Sequence, residues 1–192
     1  PPSKARFKRL LDLVYVLVAL PLLLPLMVFT VVYARIVAGK SVFYRQERVG
    51  RYGREFSMVK IRTMYIGAED VTGPVLATRE DERVIPAMAW MRSMRFDELP
   101  QVWNVIRGEM ALVGPRPERQ ELADRFEMVI PGYGRRHDIR PGITGLAQVN
   151  GSYHTDPGFK LGHDLQYLVN WTPVLDIQIL LRTIFVVLAR RV

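Results

Sequence analysis

The chain has 192 residues, a net charge of +8, no cysteine and three histidines. That length suits one compact domain with its own core, and the lack of cysteine excludes disulfides and thiolate zinc sites. His137, His154 and His163 show no paired ligand spacing, which sets a histidine metal site aside. The positive charge suits nucleic acid, acidic lipid and phosphorylated substrates equally.

The first predicted element chooses among them. Between Asp12 and Arg35 lies a charge-free stretch, "LVYVLVALPLLLPLMVFTVVYA", Leu13 to Ala34. As a helix it is about 33 Å long, enough to cross a bilayer core. Lys4, Arg6, Lys8 and Arg9 precede it, and Arg35, Lys40, Arg45 and Arg48 follow it, so the positive-inside rule draws both ends to the cytoplasmic face. Pro21 and Pro25 near its middle each remove a backbone donor and press on the preceding turn. A hairpin-like re-entrant helix with a tight, protein-covered bend satisfies charge and proline together. A spanning helix with a proline kink is the alternative.

Next, "SVFYRQERVG" and "REFSMVKIRTM" are short β-prone runs separated by Gly50 and Gly53, which predict a hairpin or a small sheet edge. The polar run over 67–83 predicts a surface loop long enough to have a functional role. "IPAMAWMRSMRF", from Ile85, has the composition of a helix at a core or a membrane surface. The final run, "PVLDIQILLRTIFVVLARRV", is interrupted by Asp176, Gln178 and Arg182. It predicts an amphipathic helix, partly sunk in the interface or packed on the domain. Tyr167 and Trp171 before it fit headgroup depth or a core.

Between these elements lies "RFDELPQ", in which Asp97 and Glu98 stand side by side with Arg92, Arg95, Arg107 and Arg116 near in sequence. Adjacent helical residues point about 100° apart, so the two acids converge only at a helix end or bend, and Pro100 supplies a reason for one. Two like charges about 4 Å apart repel by roughly 4 kcal/mol at an effective dielectric near 20, a cost that a divalent metal or arginines must offset. In "LVGPRPER", Pro115 and Pro117 hold Arg116 between residues of fixed φ, Gly114 permits a sharp turn, and Arg119 lies nearby. A rigid guanidinium suits bidentate contact with phosphate. "RPGITGLAQVNG" repeats the device at Arg140. Acids, phosphate-binding arginines and a membrane anchor together point to transfer of a phosphoryl-linked group to or from a lipid.

The segments "KIRTM", "RFDELPQVWNVIRGEMALVGPRPE" and "RPGITGLAQVNG" closely resemble the bacterial sugar transferases, the monotopic phosphoglycosyl transferases acting on polyprenol phosphate. The resemblance runs from about Lys8 to about Thr183. It implies a mainly helical α/β fold: a small membrane-associated catalytic domain, 41–192, on an N-terminal re-entrant membrane helix, 1–40, with amphipathic interfacial helices. It implies movement of a sugar phosphate from a UDP-sugar to undecaprenyl or another polyprenol phosphate, with release of UMP and with Mg2+ present, at the cytoplasmic face of the bacterial inner membrane. Asp97 would be the nucleophile, and Glu98 would help hold the metal or tune the pair. Arg116 would hold nucleotide-sugar phosphate, while Lys60 and Arg92 would hold substrate or lipid phosphate, with Arg119 and Arg140 as further binders. Asp164 and Asp176 match acidic positions of the family without an assigned role. Relatives commonly carry Ser-Pro at the helix bend, where this chain has Leu24-Pro25, one turn after Pro21. Membrane phospholipid is an expected partner and nucleic acid is not; a homodimer is compatible with a sequence silent on oligomeric state. A membrane-tethered basic module for acidic lipid or nucleic acid is the competing class, and it leaves the acidic pair and the rigid Arg116 without a role.

Overall fold

The computed structural model describes residues 2–68, 81–151 and 156–189. The chain runs α1 (Pro2–Val37), β1 (Phe43–Val49), β2 (Glu55–Ile61), α2 (Ala89–Ser93), α3 (Gln101–Arg107), β3 (Ala111–Val113), α4 (Gln120–Val129), β4 (Gly142–Thr144), α5 (Leu146–Asn150), α6 (Pro157–Asn170) and α7 (Pro173–Leu188). Helix predominates, as the sequence implied. Most of the loop expected over 67–83, together with His154, Arg190 and Arg191, lies outside the described residues.

Helical backbone in α1 continues through Pro21 and Pro25, so the chain does not divide there into two helices joined by a turn. The side on which the prolines fall explains this. Asp12, Val16, Thr30 and Ala34 are buried and Leu23 is half-buried, and at 100° per residue they form one narrow stripe. Pro21 and Pro25 are exposed on the opposite side, and Leu24 is exposed on a flank. Only outer hydrogen bonds are lost, and opening them favours curvature that wraps the helix around the domain. The Thr30 hydroxyl donates to the carbonyls of Leu26 and Met27, at 3.0 Å each, and keeps its polar atom satisfied inside the helix.

The stripe meets the rest of the chain along its whole length. Lys8 pairs with Asp176 at 2.9 Å, Arg9 donates to the carbonyls of Val105 and Ile106, and the Leu112 amide donates to Asp12. Val16 enters a core with Phe56, Met58, Val102, Val105 and Met110, against which Leu23 packs. Ala34 enters a second core with Val42, Ile61, Met88 and Met91. Buried Arg62, from the "KIRTM" segment, clamps the turn after α1 by donating to the carbonyls of Ala38, Ser41 and Met64. Much of the remaining surface of α1, including Leu17, Val18, Leu22 and Ile36, is exposed and apolar, as a membrane-associated helix requires.

β1 and β2 form the expected antiparallel hairpin, pairing Phe43 with Ile61 and Val49 with Glu55. Alternation puts Phe56, Met58 and Lys60 on one face of β2 and Ile61 on the other. Met88 and Met91 are fully buried, which decides for core packing over a membrane surface. Tyr167 is likewise a core residue, its hydroxyl 3.0 Å from the Val113 carbonyl oxygen. Asp176 gains a structural role: besides Lys8 it accepts from Tyr167 at 2.6 Å and from Trp171 at 3.1 Å, fastening α1, α6 and α7 together.

Two elements were invisible in the sequence. β3 and β4 pair in parallel, Ala111 with Gly142 and Val113 with Thr144, which lays the "LVGPRPER" and "RPGITG" segments side by side. Their glycines serve this approach. A Cβ on Gly114 would stand 2.4 Å from the Arg140 carbonyl oxygen, and one on Gly145 would stand 2.1 Å from the Gly114 oxygen. The chain bends at Gly114, as expected, without a positive φ, and the missing side chain there serves the close backbone crossing.

Candidate active site

Asp97 and Glu98 lie on a single 3-10 turn, Phe96–Glu98, just before α3. This is the bend that convergence of the two acids required. Arg95 enters the turn at φ 57, a left-handed conformation costly for a non-glycine residue and one that neighbouring contacts must sustain. Phe96 packs edge-on against Trp90 at 5.9 Å, and Trp90 packs on Tyr33 of α1 at 5.3 Å. The long helix therefore buttresses the turn. From the other side Asn104 stitches α3 to β2, accepting from the Val59 amide at 3.2 Å and donating to the Ser57 carbonyl at 2.9 Å. That brings Lys60, the next residue on β2, against the acids.

Both acids are buried, Asp97 at 7% exposure and Glu98 at 6%. The Glu98 Oε1 atom gathers three cations: Lys60 at 2.8 Å, Arg116 at 3.0 Å and Arg95 at 3.5 Å. Burial pushes Glu98 up, but Lys60, Arg116 and Arg95 together hold it well below the usual carboxylate range. Asp97 behaves in the opposite way. Burial and the adjacent Glu98 charge push it up to about 6, against the pull of Lys60, Arg92 and Arg95. Its Oδ1 is buried without a hydrogen-bond partner, and such an atom is costly unless something else comes to it. The pair thus divides into a tightly held anion and an acid with an open lone pair.

Arg116 is fixed by groups distant in sequence. The Gly142 amide donates to the Pro115 carbonyl at 2.8 Å. Arg136 donates to the Arg116 carbonyl at 3.0 Å while its own guanidinium is gripped by Asp164 at 2.8 Å and 3.0 Å. Asp164, otherwise without a role, thereby positions the chain at Arg116. Arg48 donates to the Pro117 carbonyl at 3.1 Å, and burial, with the Arg116 charge next, pulls it down to about 10.

Of the residues expected to bind substrate, Lys60 and Arg116 therefore meet at Glu98. Arg92 acts on Asp97 through its charge and donates to Thr63 at 3.2 Å. Arg119 stands just before α4, where its charge and that of Arg116 both bear on Arg48. Arg140 is turned elsewhere: its Nε donates to the Gly108 carbonyl at the end of α3, at 2.8 Å, in the neighbourhood of Arg9 and Arg51. Arg48, Arg95, Asn104 and Arg136 were not singled out as site residues in the sequence. The φ of Arg95 has no sequence signal, and the others act across the fold.

The buried acid pair is thus ringed by four cations, Lys60, Arg92, Arg95 and Arg116, a local charge balance that suits anions. The family profile of bacterial sugar transferases matches residues 3–190, and the chain belongs to that family. The chain is 39% identical over 190 residues, 97% of its length and 45% of the relative's, to a UDP-N-acetylgalactosamine-undecaprenyl-phosphate N-acetylgalactosaminephosphotransferase of Aeromonas hydrophila. It is 38% identical to a UDP-glucose:undecaprenyl-phosphate glucose-1-phosphate transferase of Xanthomonas campestris pv. campestris, over 96% of the chain and 39% of the relative. A protein of the same name from Caulobacter vibrioides is 36% identical over 92% of the chain and 68% of the relative. The chain thus spans less than half the length of the first two relatives.

Proposed function

We propose that this chain transfers a sugar 1-phosphate from a UDP-sugar to a polyprenol phosphate such as undecaprenyl phosphate, releasing UMP, through a covalent phosphosugar on Asp97. The observation that carries this reading is the unpartnered Oδ1 of buried Asp97 among Lys60, Arg92 and Arg95. A carboxylate is a weak nucleophile toward an anionic diphosphate until the surrounding charge is neutralised. Here Asp97 attacks the phosphorus that bears the sugar, and the bond from that phosphorus to the oxygen of the UMP leaving group breaks. A lipid phosphate oxygen then attacks the same phosphorus and returns the Asp97 carboxylate. Lys60 and Arg116, already gathered at Glu98, turn toward the substrate phosphates, and Arg92 and Arg119 add to the field.

The unpartnered Oδ1 of Asp97 is a donor open to a magnesium ion, whereas Glu98 Oε1 already meets three cations. Among the described residues there is no cluster of three or more acidic or histidine side chains. Asp97, with Glu98 beside it, would hold the ion and leave most of its shell to substrate oxygens, as magnesium sites at phosphate centres usually do. When bound it would neutralise phosphate charge during displacement.

The membrane reading is that α1 is re-entrant, with residues 1–40 as the membrane element and 41–192 as the catalytic part on the cytoplasmic face of the inner membrane. Contacts from Lys8 through Ala34 with the same domain support it, because they keep both ends of α1 beside the catalytic part, while its backbone stays helical through Pro21 and Pro25. Phospholipid then covers the exposed apolar side of α1.

The test is to incubate the purified chain with a panel of UDP-sugars and undecaprenyl phosphate. UMP release with one or more sugars is expected, and its loss in Asp97→Asn. Absence of UMP with every sugar would overturn the reading.

A further inference from the structure

Beside the acid pair lies a cavity of about 250 Å3 that the chemistry at Asp97 leaves unused. Arg95, Glu98 and Arg116 are among the residues that line it. Its walls are mainly apolar and come from six elements, among them Leu23 of α1, Val102 of α3, Leu112 of β3, Ile143 of β4, Val149 of α5 and Val187 of α7. The position of α7 is fixed by Ile179, buried in the core, and by a 2.7 Å hydrogen bond between Thr183 and Thr144 of β4. An apolar cavity that opens on a cationic centre, and has the membrane helix as one wall, is complementary to an amphiphile with an anionic head. Thr144, Gln148 and Thr183 add polar groups to the lining, but the predominantly apolar surface favours a prenyl chain over a sugar or a uracil, which need polar partners on several sides.

We infer that this cavity seats the first part of the acceptor's prenyl chain, so that α7 and Leu23 measure the lipid while Arg116 meets its phosphate. The inference rests on the transferase reading above and names the place of its second substrate. Since the lipid phosphate must reach the phosphorus held on Asp97, the carbons next to that phosphate must enter whatever adjoins the pair. The volume sets how many: by proportion to a cavity of about 150 Å3 that takes benzene, it holds about ten carbons, the length of two isoprene units. Chain beyond that length lies outside, in the bilayer that covers α1. Recognition of the acceptor is therefore confined to its proximal end, and distal length adds membrane residence without adding contacts.

Two measurements test this on the full chain in detergent. The first uses dimethylallyl, geranyl and farnesyl phosphate as acceptors of five, ten and fifteen carbons. Acceptor kcat/KM is expected to rise by at least tenfold from five to ten carbons and by less than threefold from ten to fifteen. A smooth rise across all three would overturn a cavity of this size. The second fills the cavity with Val187→Phe and Val187→Trp. UMP released by the UDP-sugar alone, before any lipid is added, should match the wild type and so report an intact fold and first step. KM for geranyl phosphate should rise about threefold in the phenylalanine variant and tenfold or more in the tryptophan variant. Unchanged acceptor kinetics, with normal UMP release, would overturn the cavity assignment and leave the transferase reading standing. Loss of lipid-free UMP release in both variants would place the nucleotide sugar in the cavity instead. A wild type with no turnover on any UDP-sugar and lipid would remove both.

Discussion

Asp97 and Glu98 are neighbours in sequence with opposite electrostatic fates, and this makes the site testable at a single side chain. Because Asp97 is raised to about 6, it is protonated below that pH and its lone pair is lost to attack. The acid limb of UMP formation is expected near pH 6, well above the ordinary aspartate value near 4. Glu98→Gln removes the like charge that helps raise Asp97 and releases Lys60, Arg116 and Arg95 to act on it. The limb should therefore move to lower pH in a pH–rate profile; a fixed limb would separate Asp97 from the titration. Stability follows the same shift with the sign set by the raised acid. Ionised Asp97 is disfavoured in the fold, a penalty on the order of 2–3 kcal/mol that builds as pH rises from about 4 to 6. Asp97→Asn should accordingly be inactive yet melt higher than the wild type at pH 8, with the gain shrinking at pH 4. At Arg116, exchange for lysine keeps the charge and loses the planar fork, so activity should fall by tenfold or more in a folded protein.

At the scale of elements, the site depends on two short strands brought into backbone contact. Gly142→Ala would set a Cβ 2.1 Å from the Gly114 nitrogen, and backbone on both sides leaves no flexible atom to yield. The expected cost is about 3 kcal/mol or more, visible as a lower melting temperature and as weaker placement of Arg116. The buried Arg136–Asp164 pair behaves similarly: Asp164→Asn removes the nearer counter-charge of the buried guanidinium and leaves Glu118 at 3.7 Å, at a cost of about 3 kcal/mol. How much of this was legible in the sequence depended on range. The hairpin, the α7 helix and the turn at Asp97 were readable because local alternation, proline and charge define them. The β3–β4 pair was not, because three residues hold no periodicity and the glycines act through contacts about thirty positions apart. Arg136 reads as one basic residue among many, and only the fold sets it behind Arg116. Arg140, with the same local appearance as Arg116, is occupied by the end of α3.

For the whole molecule, on the transferase reading proposed above, α1 is where a water-soluble nucleotide sugar and a membrane lipid would meet. Its inner stripe joins both cores, its outer side is apolar, and its aromatic contacts end at the turn that bears Asp97. Single cysteines at Lys4 and Lys40, in a chain that has none of its own, should both be labelled from the cytoplasmic side of inverted and right-side-out vesicles. Labelling from opposite sides would establish a spanning helix. Membrane attachment and catalysis are coupled through the same stripe, so Val16→Asp should reduce both stability and turnover, through Phe56, Met58 and Val102.

The central claim is a covalent phosphosugar on Asp97, and mass spectrometry addresses it most directly. Protein is mixed with UDP-sugar alone, quenched in acid before any lipid is added, digested and sequenced by fragmentation. A sugar phosphate adduct on Asp97 is expected, together with up to one UMP per site, and both should vanish in Asp97→Asn. No adduct, with UMP appearing only after polyprenol phosphate is added, would contradict the covalent path and leave the two acids as an electrostatic and metal-binding pair.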